Sequence, residues 1–531
     1  MGWMGLLSTF SILILFVSIE CHFPCAEKIY EGAFRSQVCV CNSTYCDDIE
    51  PIGTIGKDEV IVYRSTLDGN RMKRYVLKMN NKMKMKRKMK TKDGRGEDNV
   101  IINVDATKKY QSIIGFGGAF TDSAGENMVA LSEKLQQMIL ESYFGENGLE
   151  YNIGRIPMAS CDFSTHEYSY DDVKDDYQLN NFKLTKEDEE WKIPFVIRAN
   201  QLSNNKLRLF ASPWSSPGWM KKTGRMKGGG SLRDEQQVYQ SYANYFLMFF
   251  QHYYDKGVTF WGMTIQNEPS TGADVSWKWQ TLNLTAEMMR DFLRDYLGPV
   301  LKNNKLTKGL KVMILDDDRL FLPGYPDIIL NDSIANSYTD GIGVHWYGDF
   351  YTLPVMLDIT QQRHPDKFLL ATEACTGYMS HGHPIMGDWF RGEAYADSII
   401  TDMNHYVAGW TDWNLVLNEE GGPNWVGNFV DAPIIANRTS QEFYKQPMFY
   451  ALGHFSKFIP RGSKRVDVKV KGSVSVLATA VVIDGGRRVT VVLNREDRTL
   501  KTTIIDYSTS QSINVDLSPR SIHTFVWDKQ Q

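Results

Sequence analysis

Residues 260–270 read FWGMTIQNEPS, a stretch that opens as a strand and ends in chemistry. Phe260 to Ile265 carry the apolar and β-branched side chains of a buried strand. Asn267, Glu268 and Pro269 then stop it, because proline cannot donate to a ladder and a lone carboxyl is costly to bury. An acid at the end of a buried strand, between an amide and a proline, suits a barrel whose active site sits at the C-terminal strand ends. The rest of such a barrel should be visible on either side.

Seven more apolar runs flank this one. Upstream are SIIGFGGAF (112–120), EYNIGRIPMA (150–159) and LRLFASPW (207–214). Downstream are LKVMILDDD (310–318), GIGVHWY (341–347), KFLLATEA (367–374) and VAGWTDWN (407–414). Helical patterns lie between most of them, including 132–144, 234–257 and 284–304. Eight strands alternating with helices predict an α/β fold, a (β/α)8 TIM barrel over 106–462.

Both ends of the chain look different. Short alternating runs (VIVYRST, KRYVLKM, NVIINVD) precede the barrel, and RVDVKV, SVSVLATAVVI, RRVTVVLN, LKTTIIDY and SIHTFVWD follow it. They predict a β-sandwich built from 51–105 and 463–531, with a hairpin turn at Gly485-Gly486. The apolar run from Leu6 to Ile19 predicts a signal peptide over 1–21, although no Lys or Arg precedes it. Cys25, Cys39, Cys41 and Cys46 cluster in 22 residues, which in an exported chain reads as two disulfides stapling an N-terminal β lobe, 22–50. A zinc site is the alternative. Residues 415–446 are expected to complete that lobe, and Cys161 and Cys375 to stay reduced. Sequons at Asn42, Asn283, Asn331 and Asn437 predict glycosylation. Residues 78–92, KMNNKMKMKRKMKTK, read as a solvated hairpin loop or disordered insert, or else as a contact with an anionic lipid surface. A net charge of -4 argues against a nucleic-acid partner.

The strand ends carry polar groups: Asp122, Arg155, Trp214, Asn267-Glu268, His345-Trp346-Tyr347, Glu373 and Asp412-Trp413-Asn414. Strands four and seven would set Glu268 and Glu373 opposite each other across the mouth. Two opposed carboxyls are what glycoside hydrolysis needs, one protonated to help the leaving group and one ionised to attack. Arg155, one neighbouring strand away, can hold Glu373 ionised, or can instead serve a structural salt bridge to Asp122 or Asp162. His345 is expected to position its loop. Trp214 and Trp413 suit sugar platforms, whereas Trp219 and Trp410 read as core. His381-Gly382-His383 has no further ligand at metal spacing and reads as loop, and GFGGAF lacks the lysine of a phosphate loop. No metal or cofactor is expected.

The motifs GFGGAFTDSA, YNIGRIPMASCDFS, ASPWSSPGWMK, TIQNEPS, HWYGDF, ATEAC, GWTDWNLVLNEEGGPNWVGNFVDAPII and VCVCNSTYCD make nearly the whole chain resemble the glucosylceramidase branch of glycoside hydrolase family 30. The resemblance implies a retaining β-glucosidase hydrolysing glucosylceramide in a lysosomal membrane, with a saposin-type activator and a sorting receptor as partners. By motif, Glu268 is the acid/base and Glu373 the nucleophile. Asp122, Trp214, Asn267, Trp413 and Asn428 match the glucose pocket, Tyr347 an active-site tyrosine on a mobile loop, and Trp277 the rim. The family's spacing implies disulfides Cys25–Cys39 and Cys41–Cys46. Apolar loops 349–356 and 425–429 are the expected membrane contacts. Two features depart from the pattern, the insert at 78–92 and Thr372 where serine is expected. The rival readings are another family 30 specificity, a β-xylosidase or β-1,6-glucanase, and a non-catalytic glycolipid-binding protein. Both glutamates are present, which argues against the last.

Overall fold

The computed structural model describes residues 22–31, 36–80, 99–379 and 383–529. The expected signal peptide, most of the basic insert and His381 lie outside them. All eight candidate runs contain strands of one closed parallel barrel: Gly115–Ala119, Ile153–Met158, Arg208–Pro213, Gly262–Thr264, Lys311–Asp318, Gly341–His345, Phe368–Glu373 and Val407–Asn414. The ring closes where Val407–Asn414 pairs with Gly115–Ala119. The glycines of GFGGAF serve that closure. A Cβ at Gly117 would lie 1.8 Å from the Ile153 carbonyl oxygen, so only glycine permits the approach.

The fourth strand departs from expectation. The run 260–268 holds the ladder only over Gly262–Thr264. Beyond it the chain still bridges its neighbours, with Asn267 N donating to Pro213 O at 2.9 Å and Glu268 N to Asp316 O at 2.9 Å. Glu268 itself is left-handed, with φ 42° and ψ 59°. The adjoining fifth strand bulges at the same level, where Leu315 (φ 68°) and Asp316 (φ 57°) are left-handed too. Two neighbouring strands thus bend together, which brings Glu268 to the mouth and leaves Asp316 buried behind it. Such backbone strain persists only where its surroundings hold it, and it concentrates at functional sites.

A nine-stranded sheet draws on both chain ends. Its order is Gln511–Leu517, Leu500–Asp506, Asn99–Ser112, Lys464–Lys471, Val476–Val482, Arg488–Asn494, Ser521–Trp527, Glu59–Thr66 and Lys73–Lys78. Buried valines and isoleucines of its strands form a core of their own around Trp527 and Phe525. A five-stranded sheet joins Glu27–Tyr30 and Ser36–Asn42 to Glu442–Lys445, Ile434–Asn437 and Val416–Asn418. Disulfides Cys25–Cys39 and Cys41–Cys46 staple its N-terminal part, which removes the zinc alternative. Cys161 and Cys375 are free and buried. The four sequon asparagines are all at least partly exposed. Among the described residues no helix is long and apolar enough to cross a membrane.

Candidate active site

The C-terminal mouth of the barrel opens on a cavity of about 690 Å³. Glu268, Glu373, Asn267, Trp214, Trp413, Trp277, Tyr347 and Asn428 all line it. Glu268 and Glu373 come close together: a carboxylate oxygen of each lies within 4.8 Å of the other, with a His345 nitrogen inside the same distance.

Each glutamate is held differently. Glu373 is 5% exposed, and each of its oxygens has a donor. Arg155 Nη1 donates to Oε2, and the Tyr347 hydroxyl donates to Oε1 at 2.9 Å. Burial nevertheless raises its pKa above the usual glutamate range, with Arg155 and His345 opposing the rise. Arg155 stands where it favours the ionised form of Glu373, as expected, while desolvation works against it. Glu268 faces the cavity more openly and meets His345 Nδ1 at 3.3 Å.

Asp316 ties the two together, and sequence reasoning missed it. Its Oδ2 accepts from Arg155 Nη2 at 2.9 Å, and its Oδ1 meets His345 Nε2 at 3.0 Å. Thr264 and Thr372 hydroxyls add donors at 2.6 Å each. Burial opposes ionisation of Asp316, but Arg155 and His345 hold its carboxyl well below the usual range. His345 moves the other way: burial disfavours its charge, yet Glu373, Asp316 and Glu268 push it well above the ordinary histidine value. Arg155 and His345 supply two positive charges against three carboxyls, Asp316, Glu373 and Glu268. Two cations and the Asp316 carboxylate thus stand directly behind the facing glutamates. Thr372 performs its work here as a hydroxyl donor, which serine could equally supply.

Arg155 forms neither of the alternative ion pairs, to Asp122 or to Asp162. Its remaining donors go to Asn267 Oδ1 at 2.8 Å and Ser212 Oγ at 3.1 Å. Its guanidinium carbon lies 5.0 Å from the centre of the Trp214 ring and 5.5 Å from that of Trp413. Those two rings stack at 5.1 Å and form an apolar wall. Because Arg155 is only a donor, the Asn267 amide must turn its oxygen inward, which leaves its NH₂ for the cavity. His345 does more than position a loop, since both ring nitrogens engage carboxylates of the site.

Asp122 is displaced from its expected place. It does not line the cavity but accepts from the Tyr168 hydroxyl at 2.8 Å and pairs with buried Lys192 at 3.2 Å. Asp162 stands in the cavity wall instead, accepting from Asn428 Nδ2 at 2.9 Å and Asn424 Nδ2 at 3.2 Å. Burial pushes Asp162 up to about 7, against the Asn428 hydrogen bond. Trp219 and Trp410 are buried, as core residues should be. Of the two apolar loops, only 349–356 is strongly exposed, with Phe350 79%, Tyr351 87% and Leu353 71% accessible. In the other, Trp425 is half-buried and tied by Nε1 to the Cys161 carbonyl at 3.0 Å.

Glu268, His345 and Glu373 have the spacing of a small metal site. Hydrogen bonding already accounts for this arrangement, with His345 Nδ1 facing Glu268 and Nε2 facing Asp316.

The family model described as "Glycosyl hydrolase family 30 TIM-barrel domain" matches residues 113–459, and "Glycosyl hydrolase family 30 beta sandwich domain" matches 462–525. A Caenorhabditis elegans protein named "Putative glucosylceramidase 3" is 61% identical, over 96% of this chain and 96% of its own. The Mus musculus "Lysosomal acid glucosylceramidase" is 43% identical, over 96% of each chain. The crystal structure of SrfJ from Salmonella typhimurium superposes with a TM-score of 0.80 at 27% identity, covering 89% of this chain and 100% of that one. The matched barrel and sandwich, with relatives of this identity along nearly the whole length, place the chain in glycoside hydrolase family 30.

Proposed function

We propose that the protein is a retaining β-glucosidase that hydrolyses membrane-borne glucosylceramide through a glucosyl–Glu373 intermediate, working in the lysosomal lumen. The observation that carries the mechanism is the approach of Glu268 and Glu373 to within 4.8 Å. Retaining pairs lie roughly 5 Å apart, whereas inverting pairs leave room for a water at about 6.5–9.5 Å.

In the first step a Glu373 oxygen attacks the anomeric carbon. The glycosidic C–O bond breaks, and Glu268 passes its proton to the departing lipid oxygen. In the second, Glu268 takes a proton from water as that water attacks the same carbon and releases Glu373. Arg155 and Tyr347 orient the nucleophile by holding both its oxygens. The free NH₂ of Asn267 suits the sugar 2-hydroxyl, and the Trp214–Trp413 wall suits its apolar face. Asp162, which lines the cavity where Asp122 does not, suits the hydroxyl-binding task expected of Asp122. Trp277, which lines the cavity, suits the rim position expected of it, and Tyr347 stands beside the nucleophile. The glucosylceramide assignment is supported by the names of the relatives and by the exposed Phe350, Tyr351 and Leu353, which suit a bilayer surface.

The anomer released first, read by NMR from an aryl β-glucoside, tests the stereochemistry: β-glucose supports retention and α-glucose rejects it. Turnover of glucosylceramide against a β-xyloside tests the substrate, and faster xyloside hydrolysis would favour the other family 30 reading.

A further inference from the structure

A second cavity of about 730 Å³ opens beside the catalytic one, and Tyr378 belongs to the walls of both. Trp346, Phe350, Pro354, Met379, Ile385 and Phe390 give this second cavity an apolar lining. Charged groups also stand in its wall, but each has an opposite partner: Arg319 with Asp349, Arg391 with Asp431, Arg495 with Asp397, and Glu393 with Arg520. Arg319 Nε and Nη1 and Thr376 Oγ1 lack hydrogen-bond partners, but every charged side chain of the wall has its counter-charge, so the wall does not solicit an ionic ligand and its apolar side chains are what it offers. Its size falls in the range of small-molecule sites. Of its lining residues Phe350, Met379 and Ile385 are 79%, 60% and 45% exposed, so an apolar chain meets apolar side chains from the solvent side. The shared wall is also connected to the chemistry. Tyr378 packs edge-on against Tyr347 at 4.8 Å, and Tyr347 donates to Glu373.

We propose that this second cavity receives one alkyl chain of the aglycone whose sugar occupies the catalytic cavity, the chain crossing from one to the other over Tyr378. The assignment rests on the glycolipid reading above. It makes the cavity a specificity site, since binding energy gained there on a non-reacting part of the substrate can lower the barrier at the reacting carbon.

The test is a ladder of ethyl, butyl, hexyl and octyl β-glucosides at concentrations below micelle formation. For the wild type, kcat/KM should climb with chain length by up to roughly fourfold per methylene buried. Ala394→Trp places a large ring in the cavity from the helix Trp389–Asn404, and Ile385→Trp does so from the exposed rim at little risk to folding. Both variants should flatten the ladder and leave ethyl β-glucoside hydrolysis unchanged. A ladder as steep as the wild type's in both variants would overturn the assignment, as would an equal loss on the ethyl and octyl substrates. Wild-type turnover of glucosylceramide in mixed micelles judges the glycolipid reading separately. Its absence removes that reading, whereas its presence with an undiminished ladder in both variants removes only the cavity assignment.

Discussion

Arg155 Nη2 donates to Asp316 Oδ2 at 2.9 Å, and both side chains are wholly buried. The other oxygen of Asp316 meets His345 at 3.0 Å. One carboxylate therefore yokes two cations, and each cation grips a different glutamate, Arg155 taking Glu373 and His345 taking Glu268. The spacing of the two glutamates is thus set from behind, by a residue that does not line the cavity.

Asp316→Asn should break that yoke while sparing the shape of the cavity. The expected outcome is a fall in kcat on the order of 10²-fold with a smaller change in KM, because preorganised charge acts mainly on the transition state. Stability should also drop, by roughly 3 kcal/mol, since a buried cation loses part of its compensation. Steady-state kinetics and thermal melts check both.

Tyr347→Phe removes the donor to Glu373 Oε1 and little else from the cavity. That hydrogen bond favours the ionised form, so its loss should raise the pKa of Glu373 further. The acidic limb of the kcat/KM–pH profile should move to higher pH, and kcat/KM should fall roughly tenfold, as the loss of a hydrogen bond to a charged group implies. A profile with an unmoved acidic limb would show that the hydroxyl does not act on the nucleophile.

Glu268→Gln removes the proton donor but leaves the nucleophile. An aryl glucoside with a good leaving group should still glycosylate the enzyme, and added azide should restore turnover by attacking the intermediate without base help. The product should be β-glucosyl azide. Failure of azide to rescue, with glycosylation intact, would contradict the acid/base role.

Stability should depend on pH through Asp162. Its carboxyl is pushed up to about 7 by burial, while in the unfolded chain it titrates near about 4. Between those values the unfolded state releases a proton that the folded state keeps. The contribution is therefore full below about 4 and is lost as pH rises through about 7. His345, whose pKa is also raised, has the same sign and weakens the fold as it deprotonates. Asp162→Asn keeps an amide oxygen for Asn428 and carries no charge, so it should flatten the dependence and melt later than the wild type at neutral pH. The difference is on the order of 4 kcal/mol at most. Equal slopes in the two proteins would contradict the assignment.

The barrel was legible because its strands are apolar runs set apart by helical patterns, and the glutamates because each stands at the end of such a run. What the sequence hides is the outcome of contacts between distant residues. Asp122 and Asp162 both follow barrel strands, and only the position of Lys192, 70 and 30 residues on, makes the first a buried ion pair and leaves the second in the wall. Asp316, Asp317 and Asp318 are three like residues in a row, and a bulge at Leu315 selects the first as the hub. A strand-end acid was signal enough to consider that run, yet nothing in it distinguishes which acid turns inward. The early end of the fourth strand has the same cause, since the left-handed turn at Glu268 answers the bend of its neighbour.

The most direct test of the central claim is covalent trapping. A 2-deoxy-2-fluoro-β-glucoside with a good leaving group should inactivate the enzyme with a stoichiometry of one, and peptide mapping should find the sugar on Glu373. A label on any other residue, or steady inhibition with no covalent adduct, would contradict a retaining mechanism in which Glu373 is the nucleophile.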